Sequence, residues 1–149
     1  MIGTTLTVIV PTGQYDPVRL INLGLNRWSF KPELGGSRRF GRWALDLYGG
    51  VWFFTANDAF FPGTTRRTQS PVGSAETHLS YTLKPRFWAS LDGNFWTGGR
   101  TARNGIEGLD YQRNSRAGVT VSLPLTRRQA LKFSYSRGAY IAVTLSVLR

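Results

Sequence analysis

The chain has 149 residues, no cysteine and a formal net charge of +11. That length suits one domain rather than two, and without cysteine neither a disulfide framework nor a thiolate metal site can form. Hydrophobic residues make up 41% of the chain, yet the mean hydropathy is −0.22, so apolar and polar residues are closely interspersed. No run approaches the about 18 apolar residues of a membrane-spanning helix.

In chain order, the start comes first. Residues 1–4 carry no basic segment, and residues 6–10 are too short for the apolar part of a secretory signal. If the chain is an envelope barrel, it is expected to be a single domain over 1–149 whose N-terminus is truncated or misassigned. From here on apolar residues recur with period two, and a period of 3.6 is nowhere sustained. The alternation predicts about eight strands, at 3–10, 27–37, 43–56, 71–84, 87–98, 110–123, 130–137 and 140–148. Pro32, which cannot donate to a ladder, predicts a bulge in the second. In the third, Trp43, Leu45, Leu47, Val51 and Phe53 alternate with Ala44, Asp46, Tyr48 and Trp52. Leu79, Tyr81 and Leu83 form the apolar series of the fourth, Phe87, Ala89, Leu91 and Phe95 that of the fifth. Ala117, Val119, Val121 and Leu123 follow in the sixth, and Ile141, Val143, Leu145 and Val147 in the last.

The connections alternate in length. Short ones fall at 38–42, 84–86 and 124–129; long ones, rich in Gly, Thr, Asn and Arg, fall at 11–26, 57–70 and 99–109. The expected hairpin near Gly138 breaks the pattern, being short where a long one is due. Short turns on one side and long loops on the other are the habit of outer-membrane β-barrels.

Aromatic residues gather at strand ends: Trp43 against Trp52, Phe53 and Phe54, and Phe87 and Trp88 against Phe95 and Trp96. Eight or nine residues at about 3.3 Å each, tilted by about 40°, span about 20–23 Å, close to the apolar band of a barrel with its aromatic girdles. The alternative is that the rings fill the core of a β-sandwich, but a core would place them mid-strand.

The basic residues sort with the loops. Arg38, Arg39, Arg42, Lys84, Arg86, Arg127, Arg128 and Arg149 fall on the short-turn side. Arg19, Arg27, Arg66, Arg67, Arg100, Arg103, Arg113 and Arg137 fall on the long-loop side with Asp16, Asp58, Glu107 and Asp110. Arginine at both rims suits the lipid and lipopolysaccharide of an outer membrane. Solvated loop ends are the plainer reading of any one of them. A nucleic-acid-binding sheet would instead collect basic and aromatic residues on one face.

The polar mid-strand residues share the face opposite the apolar series. Candidates for the lumen or a solute path are Lys31, Glu33, Asp46, Tyr48, Trp52, Glu76, His78, Asp92, Asn94, Trp96, Arg116 and Lys132. Opposite charges are expected to be adjacent there, either as a filling that holds a narrow barrel together or as the lining of a permeation path. His78, the only histidine, could be imagined in a triad with Asp92 and Ser80, but no nucleophile motif accompanies it. Neither a metal cluster nor a nucleotide-binding glycine loop is expected, and no cofactor.

Several of these runs look familiar. TLTVIVPTGQYD (5–16) followed by LGLNRWSFKPELG (23–35), with later pieces at 41–58, 78–101 and 112–139, resembles the family named "putative MetA-pathway of phenol degradation". The resemblance implies an outer-membrane transporter-like β-barrel for aromatic or other hydrophobic solutes, without chemistry of its own. Members of that family are longer and open with a signal peptide and further strands. The end of this chain, AYIAVTLSVLR, lacks their expected closing aromatic. The expected fold is therefore an all-β, antiparallel transmembrane-type barrel, and the expected role an outer-membrane channel. A structural or adhesion-type eight-stranded barrel with a plugged interior is the alternative, and a soluble lipocalin-like binder the third reading.

Overall fold

Alternation of apolar and polar side chains has one stable outcome, a strand that offers one face to each environment. The computed structural model, which describes residues 1–126 and 129–143, is built that way throughout. Seven long antiparallel strands make one wall: β1 (Ile2–Ile9), β2 (Ser29–Phe40), β3 (Trp43–Phe54), β6 (Val72–Lys84), β7 (Phe87–Gly98), β10 (Gln112–Pro124) and β11 (Ala130–Val143). They neighbour one another in that order. Four short strands lie within the long connections: β4 (Asn57–Phe60), β5 (Thr65–Gln69), β8 (Thr101–Arg103) and β9 (Ile106–Glu107). They form a second, four-stranded sheet beyond the end of the wall. Among the described residues there is no helix, and no pairing joins β11 back to β1. The wall is an open part of a barrel.

The registers stack like with like across the wall. Leu45 faces Leu79, Leu79 faces Leu91, and Leu91 faces Val119. One residue along, Asp46 faces His78 and His78 faces Asp92. A slip of one residue anywhere would send the charged row into the apolar face, so the pattern holds the register.

Burial is inverted relative to a water-soluble domain. Among the described residues no hydrophobic side chain is buried, while Ser29, Asn57, Ser90, Thr101, Thr120 and Ser122 are. Leu47, Leu91 and Val119 are 52%, 61% and 46% exposed on the outer face. A sandwich or lipocalin core would enclose these residues; a lipid-facing wall presents them. Several outer aromatics lie toward the wall's ends, while Tyr135, beside Val119, stands in mid-wall. Trp43 packs on Tyr81, with ring centroids 4.8 Å apart, near the short turns, and Phe30 pairs with Phe53 near the long connections. The steps from Trp43 to Phe53, at about 3.3 Å each and a tilt of about 40°, rise about 25 Å, the height of the apolar band. Trp52, Phe54, Trp88 and Trp96, also at strand ends, lie on the inner face.

Three expectations need correction. The segments 130–137 and 140–148 are not two strands. β11 runs unbroken through Gly138 to Val143, with only a bulge where β10 passes from Ser115 to Arg116. Residues 144–148 of the expected last strand lie outside the described residues, as do Arg127, Arg128 and Arg149. Because there is no turn at Gly138, Arg137 does not sit at a rim. It pairs with Ala117 in mid-wall, on the outer face. Pro32 makes no bulge either. Phe30↔Phe53 and Glu33↔Gly50 keep one register on either side of it, while Lys31 and Pro32 have no partner on β3. The gap in the ladder is accommodated by close approach. A Cβ on Gly50 would lie 2.9 Å from the Pro32 carbonyl oxygen, so this position tolerates only glycine without backbone movement.

Candidate functional site

The wall curls around its polar face. One hollow of about 560 Å³ is lined by residues of β2, β3, β6, β7, β10 and β11, including Arg39, Asp46, His78, Asp92, Arg116 and Lys132. Alternation puts every second residue of each strand into it, and the small residues Ser80, Ser90, Gly118 and Ser134 leave the space open. Asp92 is its best-connected group. Its Oδ1 lies 2.7 Å from His78 Nδ1 and accepts a hydrogen bond from Ser90 Oγ at 2.9 Å; its Oδ2 accepts one from Thr120 Oγ1 at 2.8 Å. Thr120 Oγ1 is also 3.1 Å from Ser134 Oγ. A hydroxyl carries a single proton, so Ser134 donates to Thr120 and Thr120 to Asp92. The row therefore crosses four strands, from β6 to β11.

Toward the long connections the inner face changes character. Lys31 pairs with Glu33 and, at 3.4 Å, with Glu76, and its ammonium lies 5.9 Å from the centre of the Trp52 ring. Tyr48 meets His78 edge-on with ring centroids 6.1 Å apart, which joins this group to the Asp92 row. Asn94 faces Arg116 and Glu76 across its two neighbours, and Trp96 faces Ser74 and Asn114. With the Asn114 amide oriented so that its nitrogen donates to the Arg113 carbonyl, its oxygen accepts from the Trp96 indole Nε1 at 3.1 Å. All twelve candidate residues thus project from one face. His78 and Asp92 do lie adjacent, but of the lysines and arginines among these candidates only Lys31 forms the expected ion pairs, among the described residues. Arg116 faces Asn94 and Gly138 and makes no ion pair among the described residues, and Lys132 lies over the Trp88 ring at 5.7 Å rather than against an acid. Its strand neighbours decide this: Lys132 faces Ser122 in the register.

Beyond the wall the long connections form an ordered cap. Asn57, 3% exposed, donates to Tyr15 Oη at 2.9 Å and to the Leu25 carbonyl at 3.3 Å, and its Oδ1 accepts from Asn26 Nδ2 and the Ala59 amide. Tyr15 Oη in turn donates to the Ala59 carbonyl. Asp110 closes the connection after β7. Burial alone would raise its carboxyl, but hydrogen bonds from Thr101 Oγ1 and the Thr101 amide outweigh that and hold it below the usual carboxylate range. The rim acids pair locally, Asp16 with Arg19, Asp58 with Arg66 and Glu107 with Arg100.

A family model matches residues 1–144. The chain belongs to the family described as "Putative MetA-pathway of phenol degradation". Its fold is also that of a solved structure, the COG4313 outer membrane channel from Pseudomonas putida F1, with a TM-score of 0.87 at 25% sequence identity. The match covers 96% of this chain and 54% of that one, so the chain spans about half the length of that channel. No curated protein matches it.

In this member of the phenol-degradation family the imagined triad does not assemble. Ser80 Oγ donates to the Ala44 carbonyl and Ser90 Oγ to Asp92, so neither hydroxyl donates to the imidazole. Among the described residues no group of three or more His, Asp or Glu could hold a metal ion. Sequence reasoning did not select Ser90, Thr120 and Ser134, although period two alone puts them on the inner face. Asn57 is different. Its role arises from contacts between connections far apart in the chain, and no local pattern marks it.

Proposed function

We propose that this protein is a passive channel of a Gram-negative outer membrane, admitting small solutes of which aromatic or otherwise hydrophobic ones are the preferred class, and that it performs no chemistry itself. One observation carries the reading. A single wall, one strand thick, is apolar and exposed outside and polar and hollow inside, which suits lipid on one side and a solute path on the other. Membership of the phenol-degradation family and likeness to an outer membrane channel support the same role. The inner rings of Tyr48, Trp52, Trp88 and Trp96 would give flat apolar contact to a passing aromatic solute while Asp46, Glu76, His78, Asp92, Asn94, Arg116 and Lys132 orient its polar end. At the cap end, Lys31 and Glu33 would meet it first. At the short-turn rim Arg38 would contact lipid phosphate, and lipopolysaccharide would meet arginines of the long connections such as Arg19 and Arg66.

The test is reconstitution of the full-length protein in planar bilayers and liposomes. Single-channel conductance, swelling by small solutes, and competition by aromatic ones are the expected results. A protein that inserts stably yet neither conducts nor swells liposomes would be the plugged structural barrel instead.

A further inference from the structure

Arg27 and Arg67 are placed as cations rarely are. Arg27 precedes β2 and Arg67 lies in β5, and both side chains are only partly exposed. Neither forms an ion pair among the described residues. Arg27 Nη2 donates to Gln69 Oε1 at 2.6 Å. Its Nε and Nη1, together with Arg67 Nε, are buried without any hydrogen-bond partner. The planes are supported by rings, Arg27 lying 4.4 Å from the Phe54 centroid and Arg67 4.9 Å from that of Phe60. Desolvation first, and then the charge of Arg67, lower the pKa of Arg27, so the two guanidinium groups feel one another. The acid that feels Arg67, Asp110, has its oxygens engaged by Thr101.

Two neighbouring guanidinium groups with buried, unused donors and no ion pair among the described residues form an arrangement that an anion relieves. They also border a hollow of about 260 Å³, whose other walls include the exposed apolar side chains Leu20, Ile21 and Leu25. An inorganic anion would use the guanidinium groups and leave this apolar lining idle. An organic acid with a ring or short chain uses both. A carboxylate has two acceptor oxygens and can take one charge-assisted N–H bond from each of the two guanidinium groups, bridging Arg27 and Arg67.

We propose that Arg27 and Arg67 form a carboxylate-binding site in the cap, which takes a small organic acid with its carboxylate on the two guanidinium groups and its apolar body against Leu20, Ile21 and Phe60. The proposal rests on the channel reading for the size and origin of the solute, but the site itself does not depend on conduction.

Benzoate is a suitable probe, titrated by calorimetry into the detergent-solubilised full-length protein, with benzyl alcohol and inorganic phosphate as comparisons. Benzoate should bind saturably, and benzyl alcohol and phosphate each at least about tenfold more weakly. Each buried charge-assisted bond lost contributes about a factor of ten or more, so Arg27→Gln and Arg67→Gln should each weaken benzoate by about tenfold or more. Binding of benzyl alcohol should not change. Heat-modifiable gel mobility checks that the variants fold. Equal binding of benzoate and benzyl alcohol by the unaltered protein would overturn the proposal even if no variant folded. So would folded glutamine variants that bind benzoate normally, or phosphate that binds as tightly as benzoate. Arginine-dependent benzoate binding in a protein that passes no solute would uphold the site and remove the channel reading. Aromatic flux without benzoate binding would do the reverse.

Discussion

His78 Nδ1 lies 2.7 Å from Asp92 Oδ1 across the pairing of β6 and β7, and the same carboxylate accepts from Ser90 and Thr120. A group on which three side chains of three strands converge contributes to the cohesion of the wall, and its removal should be felt beyond its own strand. Asp92→Ala leaves those donors unmet in a half-enclosed space and should cost about 1–3 kcal/mol. In a cycle with His78→Ala the double variant should lose less than the sum of the two single losses, because each removes the same contact. Equilibrium urea unfolding in phospholipid vesicles measures both. Strict additivity would mean that the contact contributes nothing.

The outer face makes a sharper prediction. Leu91 stands between Leu79 and Val119 in the register and is 61% exposed. Leu91→Arg should destabilise the protein in bilayers by about 2–4 kcal/mol, the range for a cation near mid-membrane on a barrel, and Leu47→Arg should behave alike. Asn94→Arg, on the inner face, should cost much less. The same unfolding assay decides, and equal costs on the two faces would contradict the assignment of inside and outside.

Asn57 organises the cap through four hydrogen bonds. Asn57→Ala leaves the Tyr15 hydroxyl and the Leu25 carbonyl without this partner. It should raise amide hydrogen exchange in residues 11–28 and 57–69 by at least about tenfold while exchange in β6, β7 and β10 stays unchanged. Exchange that rises throughout the wall would show that cap and wall unfold as one unit.

Asp110 predicts a pH dependence confined to the cap. Its folded pKa is lowered by the Thr101 hydrogen bonds, so the ionised carboxylate favours the folded connection. That contribution is complete above the ordinary carboxylate pKa and fades as pH falls through the lower folded value. The Thr101 amide should therefore be protected at pH 7 and lose protection only in strong acid. Asp110→Asn should be less protected at pH 7 and show little further change on acidification.

Much of this molecule is legible in the residue order. Alternation in Trp43–Phe54, Val72–Lys84, Phe87–Gly98 and Gln112–Pro124 names the strands, because a strand has a period of two whatever surrounds it. The same parity sorts Leu47, Leu91 and Val119 from Asp46, Asp92 and Arg116. Loop lengths assign the two ends of the wall. Where local signals are ambiguous the reading fails. Gly138 looks like a turn, but in a long antiparallel pairing a glycine beside a bulge continues the strand when its neighbours find partners, as Arg137 does on Ala117 and Ser136 on Gly118. Polar segments as short as TRRTQ and TAR carry no alternation, and they become strands only because they meet each other.

What the sequence by itself determined, then, is which side chains share a face, since that follows from backbone geometry within each strand. The tertiary structure alone decided which partners they meet. Register set His78 and not Arg116 beside Asp92, and Trp88 beneath Lys132. It also brought Arg27 and Arg67, from separate connections, to one hollow with no ion pair among the described residues. Such meetings depend on how strands stack and how connections fold back over the wall, distances set across the sheet rather than along the chain.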